Sequence, residues 1–210
     1  MNEKRYNAII VAKGEVPFHE IPMTLLKSGL PIICCDGAVV NLLALDILPT
    51  VIVGDCDSIS SELLARFSSI VHEDKSQEYN DLNKALRYCF AHDYLNVVIV
   101  GGFGLREDHA IGNLGVMMMF AQEKAMDIEM VTNYGVFTPA FQTITLSSFV
   151  GQQISLFSFL PDTKFTFHNL KYPVKNQSFA HLWQATLNEA LADQFTIEFE
   201  EGKALIYRSF

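Results

Sequence analysis

Long apolar runs are missing from these 210 residues, and none approaches the roughly 18 needed to span a bilayer. The first apolar stretch, residues 8–12, is too short for a signal-peptide core and no small-residue cleavage site follows it. A soluble, cytoplasmic protein with no membrane partner is therefore expected. Positive charge is scarce as well: 15 Lys and Arg face 24 Asp and Glu, a net charge of −9, which excludes a general nucleic-acid binder. The four cysteines, Cys34, Cys35, Cys56 and Cys89, form no C-x-x-C pair. Two adjacent ones on a strand point to opposite faces, so they read as buried apolar residues in a reducing compartment. No Ser-His-Asp or Cys-His arrangement can be argued, and His19, His72, His92, His168 and His181 lack metal-ligand spacing. Disorder is excluded too, because half the residues are hydrophobic and 19% are charged.

Two regions with different periods remain. Residues 8–12, 31–35, 51–53 and 96–100 are short, nearly all-apolar runs, the pattern of strands buried on both faces of a parallel sheet. Between them lie helical patterns. The clearest is 81–90, where Leu82, Ala85, Leu86, Cys89 and Phe90 share one face. A second runs from 108 to 124, and a fourth strand is expected at 69–72. After Phe137 the runs 143–146, 154–159, 164–167, 195–199 and 204–207 mostly alternate and are separated by turn residues. The expected fold class is thus α/β: an N-terminal three-layer, mostly parallel sheet domain (1–137), then a C-terminal antiparallel β-sandwich-like domain (138–210).

In open parallel sheets, ligands collect at the carboxyl ends of the strands. Strand two ends in Asp36-Gly37-Ala38, strand three in Gly54-Asp55-Cys56-Asp57-Ser58, and the strand at 96–100 in Gly101-Gly102-Phe103-Gly104, followed by Arg106, Asp108 and His109. Asp55 and Asp57, two apart on an extended segment, would point to the same side, a costly arrangement unless a cation joins them. Mg²⁺ suits that spacing, since it takes one or two carboxylates and completes its shell with water and phosphates. The plainer reading makes Asp57-Ser58 the cap of a helix starting near Ile59. Asp81 and Lys84 fall one turn apart at a helix start, an ordinary surface pair or part of the same rim. Gly102 and Gly104 lie in neither a P-loop nor a G-x-G-x-x-G pattern, yet a glycine turn opening a helix offers N–H groups to an anion, and Arg106 adds a planar cation. Asp108 reads either as an N-cap or as part of the site, and a lone His109 at a helix start is more often structural.

Taken together and in this order, Cys35-Asp36-Gly37-Ala38, Gly54-Asp55-Cys56-Asp57-Ser58, Asn80-Asp81-x-x-Lys84-Ala85, Gly101-Gly102-x-Gly104-x-Arg106-x-Asp108-His109, Asn169-Leu170-Lys171-Tyr172-Pro173 and Thr186-Leu187-Asn188-Glu189 resemble the thiamine pyrophosphokinase family over nearly the whole chain. The resemblance implies a homodimer that uses ATP, Mg²⁺ and thiamine, giving thiamine diphosphate and AMP, with the thiamine site near the subunit interface. It implies Asp55, Asp57 and Asp81 on Mg²⁺. Asp36, Lys84, Gly102, Gly104, Arg106, Asp108 and His109 would lie around the nucleotide and its diphosphate, with Asp55, Asp57, Asp81, Lys84 and Arg106 carrying catalysis. Tyr172, Thr186 and Asn188 would lie at the thiamine. Cys56, Glu78, Asn80, Asn169 and Leu187 depart from the family's usual Phe, Asp, Thr, Gly and Ser. Two other readings are a nucleotide-sugar glycosyltransferase with Asp55-Cys56-Asp57 as a D-x-D motif, and a thiamine or nucleotide sensor that does not turn over.

Overall fold

The computed structural model describes residues 6–210, which divide into two compact units, the chain passing from one to the other after Asn133. In the first unit six strands are joined side by side: β1 (Ala8–Val11), β2 (Ile32–Cys35), β3 (Val51–Gly54), β4 (Val71–Glu73), β5 (Asn96–Val100) and β6 (Asp127–Val131). They lie in the order β6-β5-β1-β2-β3-β4, and every pairing is parallel. Every residue of β1, β2 and β3 is buried, the state of strands covered on both faces, which is why their sequences are apolar without alternation. The chain steps outward from β1 to β4, then returns to the other flank of β1 for β5. The point of reversal lies between β1 and β5, and in such sheets ligands sit at that crevice.

Helices α1 (Glu20–Leu26), α2 (Val39–Ala44), α3 (Ser61–Phe67), α4 (Asp81–Ala91) and α5 (Glu107–Glu123) connect the strands. Helix α4 begins where Asn80 Oδ1 accepts the Asn83 amide at 2.9 Å, and it buries the expected stripe of Leu82, Ala85, Leu86 and Cys89. Three details depart from the sequence reading. Asp57 and Ser58 do not cap α3; Ser60 does, accepting from Leu63 N. Asp108 is not the N-cap of α5 but a residue of its first turn. The fourth strand begins at Val71, since Ser68–Ile70 form a turn of 3₁₀ helix. None of the helices among the described residues is long and apolar enough to cross a membrane.

The second unit is antiparallel. Strands β7 (Gly135–Ala140), β9 (Gln153–Ser158), β12 (Ala185–Glu189) and β14 (Ala204–Ser209) form one array in the order β12-β9-β14-β7; β8 (Ile144–Ser147), β10 (Lys164–His168), β11 (Gln177–Ser178) and β13 (Gln194–Glu198) form another in the order β11-β10-β13-β8. Ile154, Leu156 and Ile206 from the first array share one core with Phe165, Phe167, Phe195 and Ile197 from the second, so the unit is a sandwich. Phe165 is wholly buried, with the rings of Phe199, Phe179 and Phe167 centred 5.0, 5.9 and 6.5 Å away. Phe165→Ala should lower stability by about 3–5 kcal/mol, read from urea unfolding. A loss below about 1 kcal/mol would mean this aromatic cluster does not hold the sandwich together.

Candidate active site

The carboxyl ends of β2 and β3 bring three acids together. Asp36, Asp55 and Asp57 each offer a carboxylate oxygen, and these oxygens all lie within 4.8 Å of one another. Local backbone accounts for the convergence. Asp36 leaves β2 at φ 24° and opens a short 3₁₀ turn, which keeps its side chain 2% exposed. Its Cβ rests against Gly54, where any added Cβ would stand 2.7 Å away, so only glycine fits at that position. Asp55 and Asp57 do not converge by strand alternation, as the sequence suggested. Cys56 between them adopts φ 65°, and the resulting turn aims both acids at Asp36. A left-handed non-glycine residue is costly, and strain of this kind clusters at functional sites.

Ser58 ties the group together. Its hydroxyl lies 2.7 Å from Asp36 Oδ2 and 3.2 Å from Asp57 Oδ1, so its single proton serves the nearer carboxylate. Asp36 Oδ1 is buried and has no hydrogen-bond partner among the described residues. An ionised oxygen in that state costs free energy unless a cation supplies what water no longer does. The donor set therefore fits a hard divalent ion such as Mg²⁺.

Lys84 is the counter-charge. It rises from the second turn of α4, only 3% exposed, with Nζ 3.4 Å from Asp55 Oδ2 and 3.8 Å from Asp81 Oδ1. It is thus no ordinary surface lysine. Burial pulls the Asp55 carboxyl upward, but the Gln77 amide, which donates to it at 3.2 Å, and the Lys84 ammonium outweigh that and hold it below its ordinary value. Asp81 goes the other way: burial first, then the Asp36 carboxylate, push it up against the pull of Lys84. Asp81 stands beside the three-carboxylate group, joined to it through the lysine.

Of the other expected residues, Arg106, Asp108 and His109 bond to one another. Arg106 and Asp108 are exposed and clasp each other, with Arg106 Nε donating to Asp108 Oδ1 at 3.0 Å and a second bond running from Nη2 to Oδ2. The Arg106 fork is therefore occupied, and the ion pair holds Asp108 down at about 2. His109 follows it, exposed, its amide donating to Asp108 Oδ1. The glycine turn is braced from below: Asn113 Nδ2 donates to the Gly102 carbonyl at 3.0 Å, and a Cβ on Gly104 would stand 2.4 Å from that of Glu15. Gln77 and Asn113 are polar partners to which the sequence assigns no role, and Ser58, read there only as a helix cap, bonds to Asp36 instead. Nothing in the spacing of Gln77 or Asn113 marks them, since each acts through a contact distant along the chain.

The second unit gathers the other predicted residues. Asn188 is 6% exposed and both of its amide atoms engage the Tyr172 backbone: Oδ1 accepts from Tyr172 N at 3.0 Å and Nδ2 donates to Tyr172 O at 2.9 Å. Tyr172 itself is 59% exposed. Thr186 donates to the Trp183 carbonyl at 2.8 Å. The β12–β9 register slips between Ala185 and Asn188, and Leu187 in that bulge adopts φ 60° with its side chain exposed.

Two family models match the chain: the thiamin pyrophosphokinase catalytic domain over residues 23–130 and the thiamin pyrophosphokinase substrate-binding domain over residues 135–207. A curated relative, thiamin pyrophosphokinase 1 of Caenorhabditis elegans, is 29% identical over 101 residues, which is 44% of this chain and 41% of that protein's length. The fold is similar to that of thiamine pyrophosphokinase from Bacillus subtilis, with a TM-score of 0.84, 21% identity, and coverage of 96% of this chain and 98% of that one. It is similar also to the Candida albicans thiamin pyrophosphokinase, with a TM-score of 0.83, 15% identity, and coverage of 97% and 90%.

Mg²⁺ at ten times its Kd should raise stability by roughly 1.4 kcal/mol, seen as a higher melting temperature. Asp36→Asn should lose most of that increment. A melting temperature indifferent to Mg²⁺ in the unaltered protein would contradict the cation assignment.

Proposed function

The chain belongs to the thiamin pyrophosphokinase family, and from that premise we propose that it transfers the diphosphate of ATP to the hydroxyl of thiamine, releasing AMP. The observation that carries the reading is the convergence of Asp36, Asp55 and Asp57 beside the buried Lys84. The bond that forms joins the thiamine oxygen to the β-phosphorus, the bond that breaks joins that phosphorus to the oxygen of AMP, and the hydroxyl proton is released. Mg²⁺, held by Asp36, Asp55 and Asp57 with Asp81 alongside, would supply charge neutralisation across the phosphates.

The chain's own residues do the positioning. Lys84 cannot swing into solvent, because it is buried and fixed between Asp55 and Asp81, so its charge is already in place when negative charge shifts toward the leaving oxygen. Gln77 and Lys84 keep Asp55 ionised in the range where the cation must bind. The turn at Gly102 and Gly104 opens onto the N-terminus of α5 and offers backbone N–H groups to phosphate oxygens. Arg106, clasped by Asp108, meets phosphate only by exchanging one anion for another; His109 stands beside that pair. For the acceptor, Asn188 would act through Tyr172, holding that ring out where a thiamine ring can stack on it, with Thr186 nearby. Trp183, Leu187, Leu191 and Tyr172 are large apolar side chains exposed on the second unit, in keeping with pairing of two chains into a homodimer.

The glycosyltransferase reading explains only Asp55 and Asp57. It leaves Lys84, Asp81 and the glycine turn without work.

Incubation with ATP, Mg²⁺ and thiamine, followed by mass analysis, should yield thiamine diphosphate and AMP in equal amounts. ADP with thiamine monophosphate, or nucleotide binding with no product, would reject the reading. Asp55→Asn should cut turnover by roughly a hundredfold or more, in line with the several kcal/mol that a metal contributes to phosphoryl transfer.

A further inference from the structure

We propose that Lys13 is a second phosphate-binding cation of this site, gripping the β- and γ-phosphates of the nucleotide from the end of β1. The proposal rests on the ATP reading above. Strand β1 lies between β2, which ends in Asp36, and β5, which ends in the glycine turn. A polyphosphate reaching from the acids to that turn must pass over the end of β1, and Lys13 stands there, two residues beyond Val11.

The backbone on its far side is fastened to the glycine turn. Gly14 N donates to the Gly101 carbonyl and Glu15 N to the Phe103 carbonyl, each at 2.7 Å. The side chain turns the other way, toward the acids. A Cβ on Gly37 would stand 2.6 Å from Lys13 Nζ and 3.1 Å from the Cβ of Ser58, the residue whose hydroxyl joins Asp36 to Asp57. The ammonium therefore lies over Gly37, in the turn that Asp36 opens. Lys13 is exposed and makes no ion pair with a carboxylate of the described residues. In a chain of net charge −9, a lysine laid over the edge of an acidic group without a carboxylate of its own has its charge free for an incoming anion. Lys84 differs: it is buried and already divided between Asp55 and Asp81. The two lysines thus have separate tasks: Lys84, fixed among the acids, meets charge developing at the leaving oxygen, and Lys13 holds the outer phosphates. A single lysine after an apolar run has no pattern of its own, so only the contact with Gly37 reveals it.

Calorimetric titration of ATP and of AMP, each with Mg²⁺, into the unaltered protein, Lys13→Met and Lys13→Arg tests this. Lys13→Met should weaken ATP binding roughly tenfold to a hundredfold, the range for losing a hydrogen bond to a charged group. It should leave AMP binding unchanged, which also shows that the variant is folded. Lys13→Arg, which keeps the charge, should retain most of the ATP affinity. Equal losses for ATP and AMP, no loss for either, or an Arg variant as weak as the Met variant would each overturn the proposal. The product assay separates it from the wider reading. If thiamine diphosphate forms while Lys13→Met binds ATP normally, the reading stands and this proposal falls. If no thiamine diphosphate forms but ATP loses its advantage over AMP in Lys13→Met, this proposal stands and the reading falls.

Discussion

Four carboxylates and one buried ammonium share the carboxyl edge of the parallel sheet. Asp36, Asp55 and Asp57 offer oxygens within 4.8 Å of one another, Asp81 borders them, and among the described residues Lys84 is the cation paired with the group. Asp36 is taken out of water and the other acids are held close to it, so like charges repel unless cations offset them, and one lysine cannot serve four acids. The pKa directions express this imbalance: Asp55, bonded to Gln77 and Lys84, is held down, while burial and then the Asp36 carboxylate push Asp81 up. Much of the local structure is the means of keeping this group assembled. Gly54 makes room for Asp36, Cys56 takes a left-handed turn between two acids, Asn80 starts the helix that carries Asp81 and Lys84, and Ser58 bonds across to Asp36.

The sheet explains why these groups meet. Parallel strands place all their carboxyl ends on one edge, so residues as far apart in the chain as Lys13, Asp36, Asp55 and Gly102 come to a single rim. Strands β1, β2 and β3 themselves carry no chemistry, being buried and apolar. The glycine turn after β5 is tied both to the segment following β1 and, through Asn113, to α5, which fixes backbone that glycine would otherwise leave free. The sandwich unit uses the same economy with different means: Asn188, sunk beneath the surface, holds the Tyr172 backbone by two hydrogen bonds and leaves its ring facing out.

Elements with a strong local period were legible in the sequence. Strands β1, β2, β3 and β5 stand where unbroken apolar runs placed them, and α4 starts at Asp81 as its stripe required. Strands β6 and β7 were not picked out: β6 carries the buried Glu129 in its middle and β7 carries Pro139, and each interrupts the pattern a strand would show. The acids were visible because a D-x-D after a buried strand is unusual, but the cause of their convergence was not. The sequence reading relied on strand alternation, whereas a positive φ at Cys56 makes the turn, and a φ angle at a non-glycine residue leaves no mark in composition. Similarly, Asp108 next to Arg106 looked like two site residues, and only the geometry shows that they neutralise each other.

The central claim is that a divalent cation and a polyphosphate enter this acidic group together, each making the other's presence tolerable. Linkage tests it most directly, because coupling between two ligands must be reciprocal. Titrating ATP calorimetrically across a series of Mg²⁺ concentrations should show the ATP affinity climbing with Mg²⁺, and titrating Mg²⁺ across a series of ATP concentrations should show a gain of the same factor. ATP bound equally well with Mg²⁺ and with a chelator would contradict the account.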